Sequence, residues 1–97
     1  MEPIEYTLIG SGTVVPDAGR GPAAHHFACG DLQVLCDLGS GTLGRMDGQG
    51  LPWPTLDLVA VTHRHQDHMA DLLPLLFALK NAPGVERARP LTLLGYP

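Results

Sequence analysis

An apolar run, Leu56 to Thr62 (LDLVAVT), passes without a break into six polar residues, His63-Arg64-His65-Gln66-Asp67-His68. A run of this kind predicts a strand buried on both faces. Such a strand needs paired neighbours and a covering layer, so the remaining chain must supply a sheet and helices to pack on it. The chain has 97 residues, enough for one domain with a modest core. Hydrophobic residues are 44% and charged residues 16%, a globular composition rather than a disordered one.

The other elements follow from local pattern. Ile4 to Ile9 reads as a strand ending at Gly10, and the Gly- and Pro-rich stretch from Gly10 to Pro22 as a loop. Ala23 to Cys29 and Leu32 to Leu38 form the arms of a hairpin around the two-residue turn Gly30-Asp31. Gly39 to Asp47 has room for one or two helical turns, and Asp47 to Pro54 is a second loop. Leu72 to Ala82 reads as the main helix, ended by Pro83-Gly84, and Leu91 to Leu94 as a last short strand. Asp71 as N-cap places Pro74 in the first turn, where its missing N–H costs nothing. Asp67 as the cap of a longer helix would put Pro74 near the middle and kink it. The order strand, hairpin, short helix, strand, helix, strand is an α/β chain with mixed sheet pairing.

Several function classes are excluded. The apolar stretch Leu72 to Leu79 is too short to span a bilayer, and Pro74 interrupts it. The N-terminus MEPIEYTLIG has neither the basic nor the apolar region of a signal peptide. Net charge is −4 with no basic run, so there is no footprint for non-specific nucleic-acid binding. In the hairpin register Cys29 faces Leu32 and Cys36 faces His25, too far apart along the ladder for a disulfide. Free thiols point to a reducing, cytoplasmic location.

The chemistry lies in the H-x-H-x-D-H cluster, which holds three of the five histidines. In an extended stretch, residues two apart point the same way, so His63 and His65 can project toward one ion. As the chain turns into a helix, Asp67 and His68 reach a neighbouring position. Imidazole with carboxylate suits Zn²⁺, and also Mn²⁺ or Fe²⁺. Two such ions can bridge a hydroxide and polarise a substrate oxygen.

This cluster resembles the metal motif of the metallo-β-lactamase superfamily. Leu8-Ile9-Gly10-Ser11-Gly12-Thr13 with Pro16 and Arg20, and Asp37-Leu38-Gly39-Ser40-Gly41-Thr42, resemble segments of its ribonuclease Z-like branch. The resemblance runs from Tyr6 to the end. It implies the N-terminal half of an αββα sandwich, with one main helix on a mixed sheet and a dinuclear zinc site at the sheet edges. His63 and His65 would then serve the first metal and Asp67 and His68 the second, with Asp67 also handling a proton. Asp37 would support the metal loops without being a ligand, with Gly39, Gly41 and Thr42 shaping the turn beside it. The family completes its site with a His, a bridging Asp and a last His from a second half, which these 97 residues do not contain. Ser40 and Gln66 stand where members that process tRNA usually carry Glu and Gly, and no tRNA-binding arm is visible.

The implied function is a metal-dependent hydrolase acting on a phosphodiester or other small ester-like substrate through a metal-bound hydroxide. RNA is the branch's alternative substrate, which the charge does not support. A competing reading is a non-catalytic fragment that keeps half of the metal site. For the isolated chain, apolar positions from Leu56 to Val61 and Leu91 to Leu94 are expected to be exposed, favouring a homo-oligomer or aggregation and no dinuclear activity. Gly39-Ser40-Gly41-Thr42-Leu43-Gly44 spells the dinucleotide pattern G-x-G-x-x-G, but the following helix is too short for that role. His25 and His26 on opposite strand faces read as structural residues, Cys36 as a packed thiol, and Trp53 as loop packing.

Overall fold

The computed structural model describes residues 3–12, 21–63, 65–87 and 89–95. Thr13, Pro16 and Arg20 of the resemblance lie outside them. Five strands form one sheet in chain order: β1 (Ile4–Gly10), β2 (Ala24–Cys29), β3 (Leu32–Leu38), β4 (Leu58–Ala60) and β5 (Thr92–Leu94). The first two pairings are antiparallel and the last two parallel, so this is a mixed α/β sheet. Between β3 and β4 lie α1 (Thr42–Gly48) and a short 3₁₀ turn (Trp53–Thr55). The crossover from β4 to β5 carries α2 (Gln66–Met69) and the main helix α3 (Leu72–Asn81).

The hairpin has the expected register. Gly30 takes a φ of 58°, the positive value that the first position of this two-residue turn requires. Cys29 pairs with Leu32 and His25 with Cys36, and no disulfide joins the two cysteines. The strand expected over Leu56–Thr62 is shorter and is buried on one face only. Leu56 bonds back to Trp53 O and closes the 3₁₀ turn, while the Thr62 N–H turns to the Asp37 carboxylate. Between these ends Val59 is buried, but Leu58 and Ala60 on the opposite face are only half-buried.

The core lies on one side of the sheet. Ile9, Ala24, Leu35, Leu38 and Val59 pack with Leu56, Met46 of α1 and Leu75 of α3. The opposite face is an apolar lattice set by the register: Ile4, Cys29 and Leu32 in one row, then Tyr6, Phe27, Val34 and Leu58, then Leu8, His25, Cys36, Ala60 and Leu94. The exposed apolar surface was expected from β4 and β5; Leu94 of β5 is exposed on this face as expected, but Ile4, Tyr6, Leu8, Phe27 and Leu32 supply most of it. At the far end, Arg87 donates to the Pro54 and Leu56 carbonyls, and Arg89 pairs with Asp57 at 2.9 Å. These contacts tie the segment before β5 to the start of β4.

Candidate metal centre

The polar cluster follows β4, beside the end of β3, and Asp37 organises it. Asp37 has φ 63°, a left-handed conformation uncommon for a residue with a Cβ. Its buried carboxylate accepts the Thr62 N–H and the Thr62 hydroxyl, each at 2.7 Å. It also accepts from His68 Nδ1 at 2.8 Å. Burial pushes this carboxyl up, but the hydrogen bonds from Thr62 and His68 and the charge of His68 outweigh it, holding Asp37 below the usual carboxylate range.

These bonds also settle the imidazoles. A carboxylate only accepts, so His68 donates through Nδ1–H, and in the neutral imidazole the lone pair then lies on Nε2. The Thr62 hydroxyl spends its one hydrogen on Asp37, so at 3.0 Å its oxygen accepts from His63 Nδ1–H. His63 therefore also keeps Nε2 as its basic nitrogen. One carboxylate sets two histidines, one directly and one through Thr62. This hydrogen-bonding partnership is what a metal-binding imidazole requires.

The structure brings the four residues together. The His63 and His65 rings stack with centroids 5.9 Å apart, and those of His63 and His68 lie 4.6 Å apart. His68 Nε2 is 3.6 Å from an Asp67 carboxylate oxygen. Among the described residues, no three His, Cys, Asp or Glu side chains are arranged to hold an ion as they stand. In their chemistry the donors, three imidazoles and a carboxylate, are of the types a zinc-type ion takes.

Gly39 admits the turn that carries Asp67. A Cβ there would lie 2.1 Å from Pro22 Cβ and 2.6 Å from the Asp67 carbonyl oxygen. The Thr42 hydroxyl closes the Gly39–Thr42 turn on Gly39 O at 2.6 Å, and Gly41 within it takes φ 84°. The dinucleotide pattern finds no support here. α1 has seven residues, a Cβ at Gly44 would touch nothing within 4 Å, and the amides opening α1 already bond to Asp71.

Two residues carry more than their local sequence suggests. Thr62 reads only as the end of a strand, and the sole hint of its role is a hydroxyl beside the first histidine of the cluster. Asp71 reads as the cap of its own helix. It stands at that position without a side-chain cap bond, and its carboxylate reaches α1 instead. His25 bonds Tyr6 on the open face and His26 bonds Gln33, so neither joins the cluster. Burial, followed by the Asp37 charge, pushes the Cys36 thiol up, the opposite of what a thiolate ligand needs. Trp53 bonds Asp47 and packs on the core.

No family model matches the chain. A ribonuclease Z of Mycobacterium sp. (strain KMS) is 36% identical over 94 residues, which is 97% of this chain and 33% of that protein. The probable metallo-hydrolase YhfI of Bacillus subtilis is 37% identical over 75 residues, 77% of this chain and 30% of that protein. The crystal structure of YhfI, described as a metallo-β-lactamase fold protein, superposes with a TM-score of 0.84 at 32% identity, covering 99% of this chain and 37% of that one. The short form of human tRNase Z superposes with a TM-score of 0.73 at 28% identity, covering 84% of this chain and 32% of that one. The chain thus spans about a third of the length of the curated relatives it matches.

Proposed function

The chain belongs to the ribonuclease Z-like branch of the metallo-β-lactamase superfamily, and from that premise we propose that its polar cluster is part of a hydrolytic metal site. His63 and His65 would hold one ion through imidazole nitrogen, Asp67 and His68 would contribute to a second, and zinc suits the donor set best. When bound, such ions polarise a substrate oxygen and acidify water. This chain's own residues do the rest. Asp37 and Thr62 keep the Nε2 atoms of His68 and His63 basic, and the Asp67 carboxylate beside His68 takes up and returns a proton. Gly39 lets the backbone of Asp67 close on the sheet.

The reaction we assign is hydrolysis of a phosphodiester or other ester-like bond by a protein in which further ligands join these four, since two ions need more donors. The names of the ribonuclease Z relatives support RNA as one substrate. The net charge of −4 favours a smaller diester over a long RNA footprint.

The observation that carries this reading is the shared Asp37 carboxylate, which leaves His63 and His68 in the same tautomer. Titration of the 97-residue chain with Co²⁺, followed by its visible spectrum, tests it. Binding should occur and should weaken at least about tenfold when His63 or His68 becomes Ala. Equal binding by the wild-type chain and a variant lacking His63, His65 and His68 would overturn it. No helix among the described residues is long and apolar enough to cross a membrane.

A further inference from the structure

Asp71 lies between α2 and α3, and its bonds leave its own helix. One carboxylate oxygen accepts the Gly41 N–H at 3.1 Å and the other the Leu43 N–H at 2.7 Å, at the opening of α1. The Asp71 N–H donates to Leu38 O at the end of β3, and the Asp71 carbonyl accepts the Leu75 N–H in the first turn of α3. The side chain is buried and satisfied on both oxygens. A buried carboxylate accepting two amides in a fixed fork resists displacement, because any shift leaves charge and donors unpaired.

We propose that Asp71 is a positioning residue for the metal centre, fixing the short turn that bears Asp67 and His68 against the end of β3. Two anchors hold that turn. His68 is held by Asp37, and Asp71, three residues on, is held by Leu38 and by the opening of α1. Just before the first anchor the Asp67 carbonyl closes on Gly39, in the same segment that Asp71 ties down. Asp71 touches no metal. It acts through the distance between α2 and β3, on which the meeting of His68, Asp67 and His63 depends. This inference rests on the metal reading above.

Co²⁺ titration of the full chain tests it. In Asp71→Asn the amide turns an NH₂ toward one backbone donor, so the fork cannot re-form. Affinity should fall about ten- to hundredfold, as for other residues that orient metal ligands, and the visible Co²⁺ spectrum should change shape. Asp57→Asn is the control. Asp57 also accepts a backbone amide, from Gln33 at 2.8 Å, but at the opposite end of β4, and its loss should leave the spectrum unchanged. In the unmodified chain, Zn²⁺ should slow amide exchange at Gly41 and Leu43 more than at Asp57. That measurement decides the matter if Asp71→Asn does not fold.

A wild-type chain that fails to bind Co²⁺ overturns the metal reading itself. Binding with the same affinity and spectrum in wild type and Asp71→Asn overturns only the role of Asp71. So do equal losses in Asp71→Asn and Asp57→Asn, or exchange at Gly41 and Leu43 that ignores Zn²⁺.

Discussion

One carboxylate does more for this end of the sheet than any of the histidines. Asp37 joins the end of β3 to Thr62 and to α2, and it does so ionised. Its folded pKa lies below its unfolded value. The stability it adds is therefore complete above the ordinary carboxylate range, near about 4, and is lost as pH falls through the lower folded value. Asp37→Asn should cost about 1–3 kcal/mol near neutrality, because a buried group loses its acceptor. In urea unfolding of the metal-free chain, the gap between wild type and variant should narrow from pH 7 toward pH 3. A constant gap would mean that Asp37 is not titrating across folding. The type and spacing of the four cluster residues were readable directly from the chain, although β4 ends at Ala60, before the first of them. The partnership with Thr62 was not, because it depends on how β3 and β4 align.

At the level of elements, the turn at Gly39 offers a sharp test. Gly39→Ala places a methyl against Pro22 and the Asp67 carbonyl, and backbone cannot yield as a flexible side chain does. The expected loss is about 1–3 kcal/mol by urea denaturation, the usual cost of overpacking. Gly44→Ala, where a Cβ meets nothing, should instead be neutral or stabilising by up to about 1 kcal/mol, as a helical Gly-to-Ala change. Equal effects at the two sites would contradict the packing of Asp67 on Gly39. The hairpin register was legible from the turn back to His25–Cys36, because a two-residue turn dictates it, but not the shift that then pairs Ala24 with Leu38. The extent of β4 was not, since an apolar run does not reveal where a distant carboxylate will capture the next amide. The break between α2 and α3 falls at Asp71, whose side chain bonds α1, some thirty residues earlier in the chain. Local preference alone made it a cap for α3.

For the molecule as a whole, the open face of the sheet governs behaviour in solution. Its apolar rows cross all five strands, and Ile4 remains 70% exposed. Burying one such side chain contributes about 1.5–3 kcal/mol, so several together are a strong drive to associate. Sedimentation of the 97-residue chain should show concentration-dependent self-association. Ile4→Lys combined with Leu32→Lys, two positions in one row, should shift it toward monomer. A wild-type chain that stays monomeric and melts sharply at high temperature would contradict this. That some apolar face would be open could be read from the order of elements. Which strands expose it could not, because the parity of β1 and β2 relative to the core emerges only once the helices settle on one side.

The spatial order of the strands has a further consequence, for synthesis on the ribosome. Each strand after β1 pairs with the one made just before it. The sheet can lengthen one edge at a time as the chain emerges, so the β1–β2–β3 meander can form before His63, His65 and His68 are made. On that order Asp37 would already stand at the end of β3 when Thr62 and His68, its later partners, emerge.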